Sequence, residues 1–140
     1  MKILLVDDEQ TIQRVLSTLF ERKGYRVTVA DSGEAALKIA LRDQPDLVIS
    51  DVMMPDMDGY QFRRAVLGEP SLRDIPFIFY SGKYASKKSL QLAEKLGVMR
   101  FISKPVHNED LFAAIEEVLA KQSAPVSPPA QDKELADEEF

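Results

Sequence analysis

The 140-residue sequence contains no cysteine and no apolar run long enough to form a secretory signal or a membrane span. Without cysteine the chain has no disulfides, no thiol nucleophile and no thiolate metal site, which fits a reducing compartment. The first apolar run, residues 3–6, ends at Asp7, whereas a secretory signal needs about 7–15 apolar residues and a membrane helix about 20. We therefore expect a cytoplasmic protein that does not bind membranes.

Positive charge is also scarce, because 18 Lys and Arg residues stand against 23 Asp and Glu residues, for a net charge of −5. The tail at residues 123–140 holds five acids and one lysine, so it carries −4 of this charge and residues 1–122 carry only −1. A nearly neutral globular part has no bulk positive charge with which to attract nucleic acid. We therefore expect no direct nucleic-acid binding.

Short apolar runs alternate five times with segments of helical periodicity. The predicted strands are residues 3–6, 25–30, 47–49, 77–80 and 99–102. The predicted helices are residues 12–19, 35–44, 60–67, 86–96 and 109–121. Short strands that are each followed by a helix form right-handed crossovers, which predicts an α/β domain with a doubly wound, five-stranded parallel sheet and helices on both faces. This domain covers residues 1–121.

The remaining residues, 122–140, have the composition of a Pro-rich acidic linker. They contain Ser-Ala-Pro-Val-Ser-Pro-Pro-Ala, and they end in an acid-rich segment that is similar to the first turns of a helix. We expect this tail to be disordered or to be the start of a helix that is cut short, and the chain to be part of a longer protein.

Periodicity also assigns single residues to the core or to the surface. Four apolar residues at helical spacing predict the core-facing stripe of the first helix. They are Ile12, Val15, Leu16 and Leu19. Arg63 and Arg64 are predicted to lie on a solvated helix face. The single histidine, His107, has no partner for a triad or a ligand set, so we expect a structural or neutral role for it.

Polar residues follow the predicted strands at the point where each strand ends. They are Asp7, Asp8 and Glu9 after the first strand, Asp51 after the third, Ser81 and Gly82 after the fourth, and Ser103, Lys104 and Pro105 after the fifth. In a parallel sheet these ends meet at one edge. Carboxylates held close together repel one another unless a cation is present, and an all-oxygen site suits Mg²⁺ or Mn²⁺.

A lysine and a hydroxyl beside three acids predict a site for a phosphoryl group. Lys104 would pair with an anion that arrives at the metal, and Ser81 can donate a hydrogen bond to it. Asp51 is the candidate nucleophile because carboxylates form acyl phosphates. Each residue alone has an ordinary explanation, since Asp commonly caps helices or forms turns. Their joint occurrence at three strand ends favours a functional site.

Three motifs resemble those of the receiver domains of two-component response regulators. They are Ile3-Leu4-Leu5-Val6-Asp7-Asp8-Glu9, the segment 45–59 around Asp51, and Phe101-Ile102-Ser103-Lys104-Pro105. The resemblance covers residues 1–121, and the motifs are specific to the family in this order and spacing. It implies a flavodoxin-like fold with the strand order 2-1-3-4-5.

The resemblance implies roles for the residues of the metal site. Asp51 aligns with the phosphoacceptor, which is also a metal ligand. Asp8 aligns with the acid that binds Mg²⁺ directly, and Asp7 aligns with a neighbour that usually acts through water. The backbone carbonyl of Met53 aligns with a further protein ligand.

The resemblance implies a second set of roles in phosphoryl binding and switching. Lys104 aligns with the lysine that contacts the phosphoryl oxygens, and the peptide bond between Lys104 and Pro105 is expected to be cis. Ser81 aligns with the switch hydroxyl and Phe101 with the switch aromatic. Phosphorylation is expected to draw Ser81 inward, to let Phe101 swing into the core and to change the surface of the fourth helix, fifth strand and fifth helix.

A receiver is implied to be a signalling domain that catalyses its own phosphorylation and dephosphorylation rather than a classical enzyme. The implied partners are a histidine kinase or phosphotransfer protein, a downstream domain in the same full-length chain, and a second copy bound through the surface of the fourth helix, fifth strand and fifth helix. We expect the N-terminal receiver of a longer protein in a bacterial phosphorelay. The alternative is a stand-alone, single-domain response regulator that acts by protein contact.

The residues after the fourth strand depart from the common family pattern. Gly82 stands where alanine is common, which leaves the phosphoryl group open to attack, and Lys83 is expected either to reach that group or to repel a cationic partner. We expect the lifetime of the phosphate to depend on Met53 and Lys83, with Gly82 governing access.

Three other functions are less favoured by the sequence. Phosphohydrolases with an Asp nucleophile typically carry a second Asp two residues later as acid and base, and that position here is Met53. A DNA-binding transcription factor is disfavoured because no helix-turn-helix pattern follows residue 121. A degenerate receiver that only binds partners is disfavoured by the intact acids and Lys104.

Overall fold

A computed structural model describes residues 1–82, 86–104 and 106–123, in which five strands alternate with five helices. The strands are β1 (Lys2–Val6), β2 (Arg26–Ala30), β3 (Leu47–Ser50), β4 (Phe77–Ser81) and β5 (Arg100–Ser103). The helices are α1 (Gln10–Arg22), α2 (Gly33–Asp43), α3 (Gly59–Leu67), α4 (Lys87–Lys95) and α5 (Asn108–Ser123). The predicted alternation of strands and helices is confirmed.

The five strands form one parallel sheet in the order β2-β1-β3-β4-β5, which confirms the predicted order. Val6 at the end of β1 pairs with Ser50 at the end of β3. Ser81 at the end of β4 pairs with Ser103 at the end of β5. This register places the residues that follow these four strands at one edge of the sheet, although they are far apart in sequence.

Side chains alternate between the two faces of the sheet, so the domain has two cores. One core lies under α2, α3 and α4. Its sheet residues include Leu4, Val48, Phe77 and Phe79. The other core lies under α1 and α5. Its sheet residues include Ile3, Leu5, Ile49 and Ile78. The predicted doubly wound arrangement, with helices on both faces, is therefore confirmed.

Helix boundaries follow from local chemistry. Ser32 caps α2 because its side chain accepts a hydrogen bond from Ala35 N at 3.1 Å. This helix ends at Asp43, one residue before the predicted end, since Gln44 adopts a left-handed conformation with φ of 50°. The residue before a proline is disfavoured in the helical region, and Pro45 follows Gln44.

The prediction that Val15 packs in the core is wrong, because Val15 is 52% exposed. Leu16 and Phe20 are the buried residues of α1, and Ile12 and Leu19 are partly buried against the same core. Successive helical residues are rotated by about 100°, so Val15 lies on the side turned away from the pair that contacts the sheet.

The prediction that Arg63 lies on a solvated face is also wrong. Arg64 is exposed, but Arg63 is only 4% exposed. Its Nε donates a hydrogen bond to the carbonyl oxygen of Leu96 at 2.8 Å. A buried guanidinium is tolerated here because backbone acceptors of a distant segment replace part of its water shell.

α5 extends to Ser123, two residues beyond the predicted end. The rest of the predicted tail, residues 124–140, lies outside the described residues, as do Lys83 and Pro105. The expected cis peptide bond before Pro105 therefore falls outside the part of the chain that the structure describes. Within that part, no helix combines the length and the apolar character needed to cross a bilayer.

Candidate functional site

Three carboxylates meet at the edge of the sheet where the strands end. Asp7 follows β1 and Asp51 follows β3, and the pairing of Val6 with Ser50 places them next to each other. One oxygen from each of Asp7, Asp8 and Asp51 lies within 4.8 Å of the others. Asp7 and Asp51 are 2% and 7% exposed, whereas Asp8 is exposed. The structure thus brings the three predicted acids together.

Asp7 is held in a fixed orientation by its neighbours. Its Oδ1 accepts a hydrogen bond from Glu9 N at 2.9 Å, and its Oδ2 accepts one from Lys104 Nζ at 2.9 Å. Gln13 in α1 donates its side-chain N–H to the backbone carbonyl of Asp7. The first strand, the first helix and the last strand therefore all contribute to the position of this carboxylate.

Lys104 is the cation of the site. Its side chain is 14% exposed, and its Nζ lies 2.9 Å from Asp7 Oδ2 and 3.9 Å from Asp51 Oδ2. Nζ also lies 5.2 Å from the ring centroid of Tyr80, which places the ammonium over an aromatic face. Lys104 was predicted to face an arriving anion, and the structure shows that its nearest partner is Asp7.

The charge of Asp51 is shaped by opposing effects. Burial raises its pKa, the ammonium of Lys104 lowers it, and the carboxylate of Asp7 raises it. Hydrogen bonds from the N–H groups of Val52 at 2.7 Å and Met53 at 3.4 Å, both to Oδ1, lower it further. The net effect is a raised pKa. The ionised carboxylate is thus only partly compensated by its surroundings.

Two of the three acids and the lysine border a cleft of about 410 Å³. The cleft is lined by Asp8, Glu9, Asp51, Met53, Ser81, Gly82 and Lys104. Ser81 is 1% exposed, and its carbonyl accepts a hydrogen bond from Lys104 N at 2.7 Å, which ties the end of β4 to the end of β5. Most of the predicted site residues therefore face one space.

Gly82 and Gly59 differ in how closely they approach the site. A Cβ added at Gly82 would lie 3.8 Å from Lys104 Cδ, which is an ordinary contact. A Cβ added at Gly59 would lie 2.6 Å from the carbonyl oxygen of Asp51 and 2.9 Å from Val52 Cα. The start of α3 therefore packs directly against the segment that carries Asp51, and only glycine fits there.

Phe101 and His107 complete the set of predicted residues. Phe101 is partly buried and packs edge to face on Phe79, with ring centroids 5.7 Å apart. His107 is exposed and lies just before α5.

Sequence reasoning missed two contributions to the site. Tyr80 supports Lys104 through its ring, and the only sequence signal was an aromatic residue directly before the strand-end serine. Gly59 directly precedes the predicted third helix, and its close approach to Asp51 depends on tertiary packing.

The residues present fit a divalent cation. All donors are oxygens, and two of the three carboxylates are buried beside the ammonium group of Lys104. Hard cations such as Mg²⁺ prefer oxygen ligands, and such an ion would relieve the repulsion between Asp7 and Asp51. Asp8 is the exposed member, so it borders the cleft through which an ion or a phosphoryl group would enter.

Known proteins are similar to this chain in sequence and in fold. The response regulator PleD of Caulobacter vibrioides is 34% identical over 117 residues, which are 84% of this chain and 26% of PleD. The response regulator SaeR of Staphylococcus aureus is 33% identical over 119 residues, which are 85% of this chain and 50% of SaeR. The chain thus spans a quarter to a half of these two relatives.

Among solved structures, the chemotaxis protein CheY4 of Vibrio cholerae is 31% identical and superposes with a TM-score of 0.79, over 84% of this chain and 97% of CheY4. The receiver domain of a histidine kinase from Syntrophus aciditrophicus has the same identity and TM-score and covers 91% of this chain. The sequence model of the response regulator receiver domain matches residues 3–116. The chain therefore belongs to the receiver domains of two-component response regulators.

Proposed function

We propose that this chain is the receiver of a bacterial two-component phosphorelay and accepts a phosphoryl group on Asp51 from a histidine kinase or phosphotransfer protein. It acts as a signalling domain that catalyses its own phosphorylation and dephosphorylation. The observation that carries the proposal is the convergence of three carboxylates and Lys104 at one sheet edge, where Asp8, Asp51 and Lys104 line an open cleft. Membership of the receiver family agrees with this assignment.

Asp7, Asp8, Asp51 and the backbone carbonyl of Met53 would hold Mg²⁺, or Mn²⁺ in its place. The bound ion would offset the negative charge of the phosphoryl oxygens. The all-oxygen donor set and the exposed position of Asp8 support this assignment.

Asp51 is the nucleophile in the proposed transfer. One of its carboxylate oxygens forms the new O–P bond while the P–N bond to the donor histidine breaks, and the histidine nitrogen keeps the bonding electrons. Asp51 Oδ1 accepts hydrogen bonds from two backbone N–H groups, whereas Oδ2 faces Lys104 at 3.9 Å. Lys104 is therefore placed to neutralise phosphoryl oxygens on the Oδ2 side.

The phosphoryl group also supplies the signal. It brings about −1.5 to −2 charges and new acceptor oxygens to the cleft. Ser81 would turn its hydroxyl towards these acceptors, and Phe101 would repack into the space that opens. Support comes from the position of Ser81 in the cleft wall and from the edge-to-face contact of Phe101 with Phe79. The surface of α4, β5 and α5 would change as a result.

The partners of the chain follow from this role. We propose that α4, β5 and α5 form the surface for the downstream domain of a longer protein or for a second copy of the chain. The share of PleD and SaeR that the chain spans supports a longer protein. A stand-alone regulator that acts by protein contact is the alternative, and the transfer chemistry is the same in both cases.

Incubation with acetyl phosphate and Mg²⁺, followed by intact-mass analysis, tests the proposed transfer. The wild-type chain should gain one phosphate, and Asp51→Asn should gain none. Asp56→Asn is the matched control, because Asp56 is an exposed acid in the same loop and its left-handed φ of 67° suits asparagine. Failure of the wild type to gain phosphate, or to bind the mimic beryllofluoride, would favour a domain that only binds partners.

The lifetime of the phosphate is proposed to depend on Met53 and Lys83. Met53 is 55% exposed and lines the cleft, so its side chain would influence the access of an attacking water. Lys83→Ala should change the dephosphorylation rate of the phosphorylated chain, which is measured by the decay of the mass-shifted species. An unchanged dephosphorylation rate would contradict the proposed role of Lys83.

A further inference from the structure

α4 buries few of its side chains. Ala93 is its only buried residue, and Leu90 is 40% exposed. Burial of a single alanine removes little apolar area from water, so apolar packing contributes little to the position of this helix. Two side chains of α3 supply polar contacts, one near each end of α4.

Tyr60 forms the contact near the start of α4. Its hydroxyl donates a hydrogen bond to the carbonyl oxygen of Ser89 at 3.1 Å. Its ring packs edge to face on Phe79, with centroids 5.1 Å apart. The residue therefore links the first turn of α4 to the aromatic core beneath α3.

Arg63 forms the contact at the end of α4. Its Nε donates to the carbonyl oxygen of Leu96 at 2.8 Å, and its Nη2 lies 3.5 Å from the carbonyl oxygen of Gly97. These carbonyls are at the negative end of the helix, where a cation is favoured. A Cβ at Gly97 would lie 3.1 Å from Nη2, and Gly97 has a φ of 75°, so the turn after α4 is shaped closely around the guanidinium.

Burying the guanidinium of Arg63 costs free energy that an apolar side chain at the same position would not cost. Arg63 is 4% exposed, it forms no ion pair within the described residues, and its Nη1 is buried without a hydrogen-bond partner. Burial lowers its pKa to about 10, so it stays charged at neutral pH. An apolar side chain of similar size would avoid this cost but could not bind the carbonyls. Directional bonding to the end of α4 is what distinguishes arginine at this position.

The two contacts share one aromatic cluster with the proposed switch residue. The guanidinium of Arg63 lies 5.0 Å from the ring centroid of Phe77. The Phe77 ring contacts Phe79 at 5.5 Å, and Phe79 contacts both Tyr60 at 5.1 Å and Phe101 at 5.7 Å. A repacking of Phe101 would therefore alter the support of both residues that hold α4.

We propose that Tyr60 and Arg63 are positioning residues that hold α4 in its resting position, and that phosphorylation at Asp51 moves α4 by weakening this attachment. The second half of this inference rests on the proposed function. Thermodynamic linkage makes the coupling reciprocal. If the attachment favours the resting state, then its removal should make a phosphoryl mimic bind more tightly.

Amide hydrogen exchange of the full chain without a phosphodonor tests the attachment alone. In Arg63→Met the amides of residues 92–97 should exchange at least several-fold faster than in the wild type, while those of β1 and β3 stay unchanged. Arg64→Met is the matched control. Arg64 is the exposed residue next to Arg63 on α3, so its replacement should leave exchange in α4 unchanged. Equal exchange in the wild type and Arg63→Met, or equal acceleration in Arg64→Met, would overturn the inference.

Beryllofluoride affinity in the presence of Mg²⁺, measured by calorimetry, tests the coupling. Arg63→Met should bind about three- to tenfold more tightly than the wild type, and Arg64→Met should bind equally. Unchanged or weaker binding would overturn the coupling even if exchange in α4 is faster. If the wild type does not bind the mimic, the proposed function fails, whereas the exchange result still decides the attachment.

Tyr60→Phe is a second, milder variant that tests the attachment of α4 even if Arg63→Met loses structure throughout the domain. It removes only the hydroxyl and keeps the ring on Phe79, so the core should be preserved. Faster exchange confined to the first turns of α4 supports the proposal, and unchanged exchange there contradicts the role of Tyr60. Urea unfolding of each variant separates local opening of α4 from global unfolding.

Discussion

The two faces of the sheet are built on different principles. Under α1 and α5 the core is almost entirely aliphatic, and α5 alone buries Leu111, Ala114, Ile115 and Val118. Under α2, α3 and α4 the sheet presents Phe77 and Phe79 within an aromatic cluster, and α4 buries one alanine. Both faces thus bury an apolar core, but α5 is held by dense apolar packing, whereas α4 is held mainly by the polar contacts of Tyr60 and Arg63.

The difference extends to buried polar groups. Among the described residues, those that are buried and polar or charged are Asp7, Ser50, Asp51, Arg63 and Ser81. These residues lie at strand ends or on α3, whereas α1 contributes a buried polar atom, Ser17 Oγ, on a residue that is itself only partly buried. Apolar burial resists displacement in every direction, whereas a few directional bonds can be exchanged for others without opening a core. We therefore expect the proposed change of the α4, β5 and α5 surface to be largest at α4.

The largest expected loss of stability comes from truncating an apolar side chain beneath α5. Ile115 is fully buried in α5 at 0% exposure, so Ile115→Ala should lower the free energy of unfolding by about 2–5 kcal/mol. Leu90→Ala, on the exposed side of α4, should change it by less than about 1 kcal/mol. Urea denaturation measures both. Similar losses in the two variants would mean that α4 and α5 are packed alike.

A smaller effect on stability is expected from Phe79, which joins the ring cluster. Phe79→Leu keeps an apolar side chain at a position with 0% exposure, so the free energy of unfolding should fall by about 1–3 kcal/mol. Unlike Ile115→Ala, this variant should also change amide hydrogen exchange in α4, since Tyr60 and Phe101 both pack edge to face on this ring. Hydrogen exchange under identical conditions compares the two. A change in α4 of equal size in Ile115→Ala would remove the distinction between the faces.

The apolar face was the easier one to predict. Short apolar runs followed by amphipathic helices predict a parallel sheet, and strand-end residues then meet at one edge. Asp7, Asp51 and Lys104 could be grouped for this reason alone. The burial of single residues was less accessible, because Val15 and Leu16 have the same apolar character and only the rotation of α1 on the sheet separates them.

The polar contacts of the other face could not be predicted. Arg63 can be buried because the carbonyl oxygens of Leu96 and Gly97, 33 and 34 residues later in the chain, accept its hydrogen bonds. No local sequence pattern predicts a partner at that distance. The pairing of Lys104 with Asp7 in preference to Asp51 likewise depends on differences of about 1 Å between side-chain positions. Periodicity reports which face a residue occupies, and it does not report which polar atoms meet there.

The smallest expected change in stability comes from removing the buried charge of Asp51. Asp51→Asn should raise the free energy of unfolding at neutral pH, because burial raises the pKa of Asp51 above its ordinary value of 3.8 and makes the ionised form unfavourable in the folded chain. The gain is limited, since Lys104 and two backbone N–H groups offset part of the penalty. Thermal unfolding across a pH series measures it, with Glu117→Gln on α5 as an exposed control that should show no such gain.

The sign of the pH dependence follows from linkage. A carboxyl whose pKa is raised by folding binds its proton more tightly in the folded chain, so the wild type loses stability as the pH rises through the folded pKa. The variant has no such proton, so the two chains should differ least below pH 3.8 and most at neutral pH. Mg²⁺ should reverse the order at neutral pH, because it stabilises the folded state that holds the intact carboxylates. A gap between the variants that is independent of both pH and Mg²⁺ would place the source of the change in packing and not in the buried charge.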